Sequence, residues 1–229
     1  MSVRVPVLAI DGPSGSGKGT IARRVAARLG WHLLDSGALY RLVALQGRLA
    51  GLAEDDLDGH VRAAEQLDVR FGSHPDGSEQ VLLGLAQRDV TDVIRTEEAG
   101  NGASRVAAWP AVRDALLDRQ RAFAMPPGLV ADGRDMGTVV FPYAELKIFL
   151  TASADERARR RHNQLKEKGS AVTLAALSRE IAERDERDTR RAVAPLIPAS
   201  DALIVDSTLM GVEEVVERVM ELARQHGML

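Results

Sequence analysis

The stretch VRVPVLAI (residues 3–10), followed by GPSGSGKGT (12–20) and TIARRVAARLG (20–30), decides the fold. Its first part is a short Val-rich apolar run, the pattern of a strand buried on both faces. Its last part carries Ile21, Val25, Ala26 and Leu29 on one helical stripe, and Gly30 suits the cap that ends such a helix. Between them lies the loop Gly12-Pro13-Ser14-Gly15-Ser16-Gly17-Lys18-Gly19-Thr20. Strand, glycine loop and helix in that order aim successive backbone N–H groups and a helix N-terminus at one point, which makes an anion site. Lys18 can reach the outer phosphates of a nucleoside triphosphate, and Thr20 can serve phosphate or Mg²⁺. The common spacing G-x-x-x-x-G-K-[ST] is altered here, because Gly19 follows the lysine and the hydroxyl comes one residue later.

The pattern continues outward from this loop. Trp31 to Asp35 reads as a second strand and Ala38 to Leu49 as a helix. Alternation of strand and helix from the first residues predicts an α/β fold, a parallel sheet with helices on its faces. An acidic helix is expected over 53–67. Short runs around turn residues, Pro75-Asp76-Gly77-Ser78 among them, then predict small antiparallel strands, an inserted subdomain over about 68–96. Helices are expected at 97–108 and 110–124, with Pro110 in a first turn. Three further strands are read at 129–132, 146–150 and 202–206. A charged amphipathic helix falls at 173–188 and a last helix at 212–226.

Other residues with chemistry lie after the strands. Asp35-Ser36-Gly37-Ala38-Leu39-Tyr40-Arg41 and Asp132-Gly133-Arg134-Asp135 both fall at carboxyl ends of parallel strands, the edge where such sheets bind ligands. Asp132 suits the acid that holds Mg²⁺, directly or through water, opposite a phosphate loop. On a helix Arg184, Arg187, Asp188 and Arg191 share one face. A charge run of this kind is ordinarily a solvated surface, but beside a phosphate loop its guanidinium groups have phosphates to clamp.

Composition excludes several classes. The 229 residues carry 30 Lys and Arg against 33 Asp and Glu, a net charge of −3, the wrong sign for a chain that coats nucleic acid. Aromatics make up only 3%, too few for base stacking, so the core must be aliphatic. There is no cysteine, hence no disulfide, thiolate metal site or thiol nucleophile. No apolar run is long enough to span a bilayer and no signal peptide is visible, so the expectation is a cytoplasmic protein away from membranes. Basic residues are concentrated in 156–191, a segment of local charge +4 that can meet a polyanion.

Taken together, GPSGSGKGT, DSGALYR (35–41), DGRDMGTVVFP (132–142) and ERDERDTRRAVAPL (183–196) resemble the bacterial cytidylate kinase family in content and order, over nearly the whole chain. The resemblance implies a P-loop nucleoside monophosphate kinase fold: a five-stranded parallel sheet flanked by helices, a small antiparallel insertion that binds the monophosphate, and a short lid. The implied division is one domain, with core 1–67, 97–155 and 171–229, insertion 68–96 and lid 156–170. The implied reaction is phosphoryl transfer from ATP to CMP or dCMP, with Mg²⁺, by a monomer. Lys18, Arg134, Arg184 and Arg191 would be catalytic. Gly12 to Thr20 and Arg157 would bind ATP, with Thr20 and Asp132 at the metal. Ser36, Arg41 and Arg134 would meet the CMP phosphate, Ser104, Arg113 and Asp135 the cytosine, and Asp188 the ribose. Rival readings are another small P-loop kinase, acting on UMP, dTMP, AMP or shikimate, or a nucleotide switch that needs no second phosphate clamp.

Overall fold

The apolar run that opens the chain becomes the central strand of a parallel sheet. The structure, a computed structural model, describes residues 4–74, 79–167 and 171–229. In chain order the first elements are β1 (Val7–Asp11), α1 (Lys18–Leu29), β2 (His32–Asp35), α2 (Ser36–Leu49) and α3 (Leu57–Glu65). Next come β3 (Val69–Ser73), β4 (Glu79–Leu83), β5 (Arg88–Asp89), α4 (Thr91–Ile94), α5 (Glu97–Val106) and α6 (Pro110–Arg121). The chain continues with β6 (Leu129–Gly133), a π-helical turn (Met136–Val140), β7 (Leu146–Thr151), α7 (Ala154–Glu167), α8 (Leu174–Arg190), β8 (Leu203–Asp206) and α9 (Val212–Gln225). Chain packing divides these into two compact units, one running to Asp35 and resuming at Gln120–Leu229, the other Ser36–Arg119.

The first unit holds a five-stranded sheet in the order β2-β6-β1-β7-β8, parallel throughout. Val7, Leu8, Ala9 and Ile10 of β1 are fully buried, as a strand covered on both faces must be. Leu8 and Ile10 join Ile21, Val25 and Ala26 of α1 and Val215, Val216 and Val219 of α9 in an aliphatic core, with Leu29 packed at its margin. Each such Val, Leu or Ile side chain removed from water contributes roughly 1.5–3 kcal/mol, which fixes the strand–loop–helix geometry around the loop. Parallel register sets Ile10 against Asp132, Asp11 against Gly133 and Asp35 against Asp132, so three carboxylates line one end of the sheet. That end is also where the loop after β1 begins.

In the second unit α2 packs on α5, closely enough that a side chain on Gly102 would meet Ala44. The antiparallel strands predicted for 68–96 are present as β3-β4-β5. Only Arg88–Asp89 of the third predicted run is extended; Thr91–Ile94 turns helical, with Val81 N–H donating to Thr91 Oγ1 across the strand end. The predicted turn at 75–78 lies outside the described residues. Of the arginine-rich lid expected over 156–170, the part up to Glu167 belongs to the helix α7, and 168–170 again lie outside the described residues. No helix among the described residues is long and apolar enough to cross a membrane.

Candidate active site

The loop between β1 and α1 is built as its glycines require. Gly12, Gly15 and Gly17 have φ of +155°, +76° and +89°, and a Cβ on Gly12 would lie 2.1 Å from the Leu150 carbonyl oxygen. Lys18 opens α1 and is only 8% exposed; its Nζ donates to the Pro13 carbonyl at 3.0 Å, which draws the ammonium over the loop. Ser16 Oγ is buried without a hydrogen-bond partner, while Thr20 is exposed. Arg157 of α7 lies buried against the loop rather than in solvent. It donates to Ser14 O at 2.9 Å and Ala152 O at 3.1 Å and pairs with Asp185 at 2.6 Å. Arg160, not singled out from sequence, donates to Ser16 O at 3.3 Å and Ser207 Oγ at 3.0 Å. Arg157 and Arg160 therefore brace the loop, a role that sequence spacing alone does not disclose.

Around Lys18 the first unit gathers the charges predicted from three separate motifs. Burial pushes the Lys18 ammonium down to about 7, and Arg134 and Arg184 push the same way against Asp132 and Asp188. Arg134 Nε donates to Asp188 Oδ2 at 3.0 Å. Arg191, at the end of α8, stands 3.9 Å from Asp135, and both side chains are 4% exposed. The charged face predicted for 184–191 is thus turned inward. Leu177, Ile181 and Asp188 are the buried positions of α8, and Glu183, Glu186 and Arg190 take the solvent side.

One member of this cluster escaped the sequence reading. Asp11 ends β1, where a carboxylate reads as the close of a strand. It is buried, and it accepts the Met136 and Gly137 N–H groups, both at 2.8 Å. Burial pushes it up to about 7 against those two donors, and the nearby Asp135 and Asp132 add to the rise.

The second unit holds the other predicted residues. Ser36, Ser104 and Arg113 are buried. Arg41 donates to the Ile94 carbonyl at 2.5 Å, and the Arg113 guanidinium lies 5.7 Å from the Tyr40 ring. A cavity of about 250 Å³ in this unit, lined among others by Leu45, Leu52, His60 and Val106, includes none of the predicted residues.

The donors suit Mg²⁺. A Cβ on Gly19 would come within 3.1 Å of Asp132 Oδ2, so the missing side chain, the departure from the common spacing, leaves room beside that carboxylate. Among the described residues no three His, Asp or Glu side chains assemble into a protein-only metal cage. Mg²⁺ rarely uses such a cage: it takes one or two carboxylates with water and substrate phosphate.

Comparison with known proteins points one way. The family model described as cytidylate kinase matches residues 8–225. A cytidylate kinase of Pseudomonas paraeruginosa is 60% identical over 227 residues, 99% of each chain. One of Stutzerimonas stutzeri is 61% identical over 216 residues, 94% of each, and one of a Marinomonas species 55% over 224, 98% of each.

Proposed function

We infer the reaction from the premise that this chain belongs to the cytidylate kinase family: it transfers a phosphoryl group from ATP to CMP, giving ADP and CDP. The observation that carries the reading within the structure is the charge cluster next to a glycine loop, with Lys18, Asp132 and Asp188 buried and Arg134 and Arg184 partly buried. A nucleotide switch needs the loop but not the second group of arginines.

We propose the following division of roles. The loop Gly12 to Thr20 holds the ATP phosphates through its N–H groups, with Arg157 bracing it. Ser36, Arg41 and Arg134 take the acceptor phosphate, Ser104, Arg113 and Asp135 the cytosine edge, and Asp188 the ribose. The acceptor is a phosphate, largely dianionic near neutral pH because its second pKa is about 6, so no general base is needed. The task left to the protein is to hold two polyanions in line and offset charge on the transferred group. Lys18, Arg184 and Arg191 do so as fixed charges in a water-poor site, where such interactions are strongest. The lowered Lys18 proton affinity has a use here. An ammonium that burial and the neighbouring arginines disfavour gains a counter-charge from a phosphate. Asp132 and Thr20 would hold Mg²⁺, which supplies further neutralisation of phosphate charge when bound.

We further propose that the chain is one kinase domain with its acceptor insertion at 68–96 and its lid at 156–170, that dCMP also serves, and that the enzyme acts as a cytoplasmic monomer. Coupled ADP release with ATP·Mg²⁺ and each monophosphate in turn tests the reading. CMP is expected to exceed UMP by about 10²-fold in kcat/KM, because uracil reverses two cytosine hydrogen-bonding positions. UMP equal to CMP overturns the cytosine assignment, and ADP release independent of any acceptor overturns the kinase.

A further inference from the structure

A buried carboxylate that the phosphate loop does not use calls for an account. Asp11 stands in the central strand, where an apolar residue would cost far less to bury. It also has Asp132 and Asp135 within electrostatic reach, which adds repulsion. Its two bonds go to Met136 and Gly137, the first two N–H groups of the π-helical turn. A helix start leaves such N–H groups unsatisfied, and the residue before it ordinarily caps them with its own side chain. Here that residue is Asp135, a type well suited to capping, yet its side chain makes no cap bond. Asp11 does the capping from 125 residues away, and the Asp135 carboxylate faces Arg191 instead.

The turn is held at its far side as well. Lys147 of β7 donates to the Pro142 carbonyl at 2.7 Å, just beyond the turn, and to both oxygens of Asp201. Its stem and Asp11 Oδ2 flank Gly137: a Cβ there would lie 3.1 Å from Lys147 Cδ and 3.4 Å from Asp11. Arg134, directed at Asp188, and Asp135, directed at Arg191, are the two residues leading into this fixed turn.

We infer that Asp11 is a positioning residue for the acceptor nucleotide: by capping the turn in place of Asp135, it sets where Arg134 and Asp135 stand. The inference rests on the proposed roles of those two residues in binding the monophosphate. Asp11→Asn keeps the shape and one acceptor but sets an amide N–H against a backbone N–H. The expected result is a KM for the acceptor raised about 10-fold or more, a KM for ATP changed less than about 2-fold, and a reduced preference for CMP over UMP, each normalised to folded protein. A residue that merely joined strand to turn would lower the folded fraction and leave acceptor KM and base preference unmoved, and that result overturns the inference. Gly137→Ala strains the same joint without touching a charge and should give the same signature; it decides the matter if Asp11→Asn does not fold. The KM is read for whichever monophosphate the unaltered chain uses best, so failure of the cytosine assignment leaves this test standing.

Discussion

Two groups of arginines and carboxylates in this molecule have almost the same composition and opposite character. One joins α1 to α9: Arg24 and Arg28 pair with Glu213 and Glu217, with side chains 39–62% exposed. The other joins β6 to the end of α8: Arg134 pairs with Asp188 and Arg191 faces Asp135, with side chains 4–16% exposed. In water a charge is solvated whether or not its partner is present, so the first group can be lost cheaply. In the interior each charge depends on its neighbours, so the second group is costly to keep and costly to disrupt. Burial, and not residue type, separates the two groups.

The largest effect that sharpens this contrast is expected at Lys18. Lys18→Ala should lower kcat by about 10³-fold, as removal of a single preorganised electrostatic stabiliser does. Stability should hold or rise, because the site opposes the ammonium it contains. Paired turnover and urea-midpoint measurements check both halves, and a variant with normal turnover removes the residue from the mechanism.

Next comes Arg191. Arg191→Lys retains the charge but loses the planar fork, and a fall in kcat of roughly 10-fold or more is expected, with ATP affinity nearly unchanged. A lysine variant with unaltered kinetics would show that charge alone suffices and that the planar fork of Arg191 is not required.

These buried groups were unequally legible in the sequence. The sheet could be read because strands covered on both faces are continuous apolar runs, as in Val7 to Ile10, and the loop because positive φ at Gly12, Gly15 and Gly17 demands glycine. The inward turn of α8 was half legible: helical spacing put Arg184, Asp188 and Arg191 on one face, but spacing does not say which face is covered. Asp11 was not legible, because its partners are N–H groups at 136 and 137 and a backbone donor leaves no mark on the residue type. The π-helical turn itself, MGTVV preceded by Gly-Arg-Asp, carries no apolar period and reads as loop. The enclosure of Arg157 is likewise a long-range fact, fixed by Ser14 and Asp185.

The pH dependence of stability offers a smaller, signed effect. Asp11 is raised from 3.8 to about 7, so the folded chain holds a proton over that window that the unfolded chain releases. Its contribution to stability therefore falls as pH rises from about 4 to about 7 and is level above. Exposed Asp206 behaves oppositely: Thr208 holds its pKa down, and its contribution is lost only as pH falls below the ordinary carboxylate range. The difference in urea midpoint between the unaltered chain and Asp11→Asn should thus move against the unaltered chain between pH 5 and pH 8. A difference independent of pH would mean that Asp11 is an ordinary ionised acid throughout.

The smallest effect should be at the surface group, and it is the one that can break the comparison outright. Arg28 pairs with both Glu213 and Glu217, and a count of ion pairs would rank it above Arg134, which pairs with Asp188. The physical expectation is the reverse. Both glutamates remain solvated without it, Arg24 still pairs with Glu213, and ordering three long side chains offsets much of the attraction. Arg28→Ala should cost less than about 1 kcal/mol, with kcat and both KM values unchanged. Because the Debye length falls to about 3 Å at 1 M salt, what cost there is should vanish there. A loss above about 2 kcal/mol that persisted in 1 M salt would show that the α1–α9 arginines pack through their stems as firmly as the buried ones do through their charges. Exposure would then no longer divide the two groups.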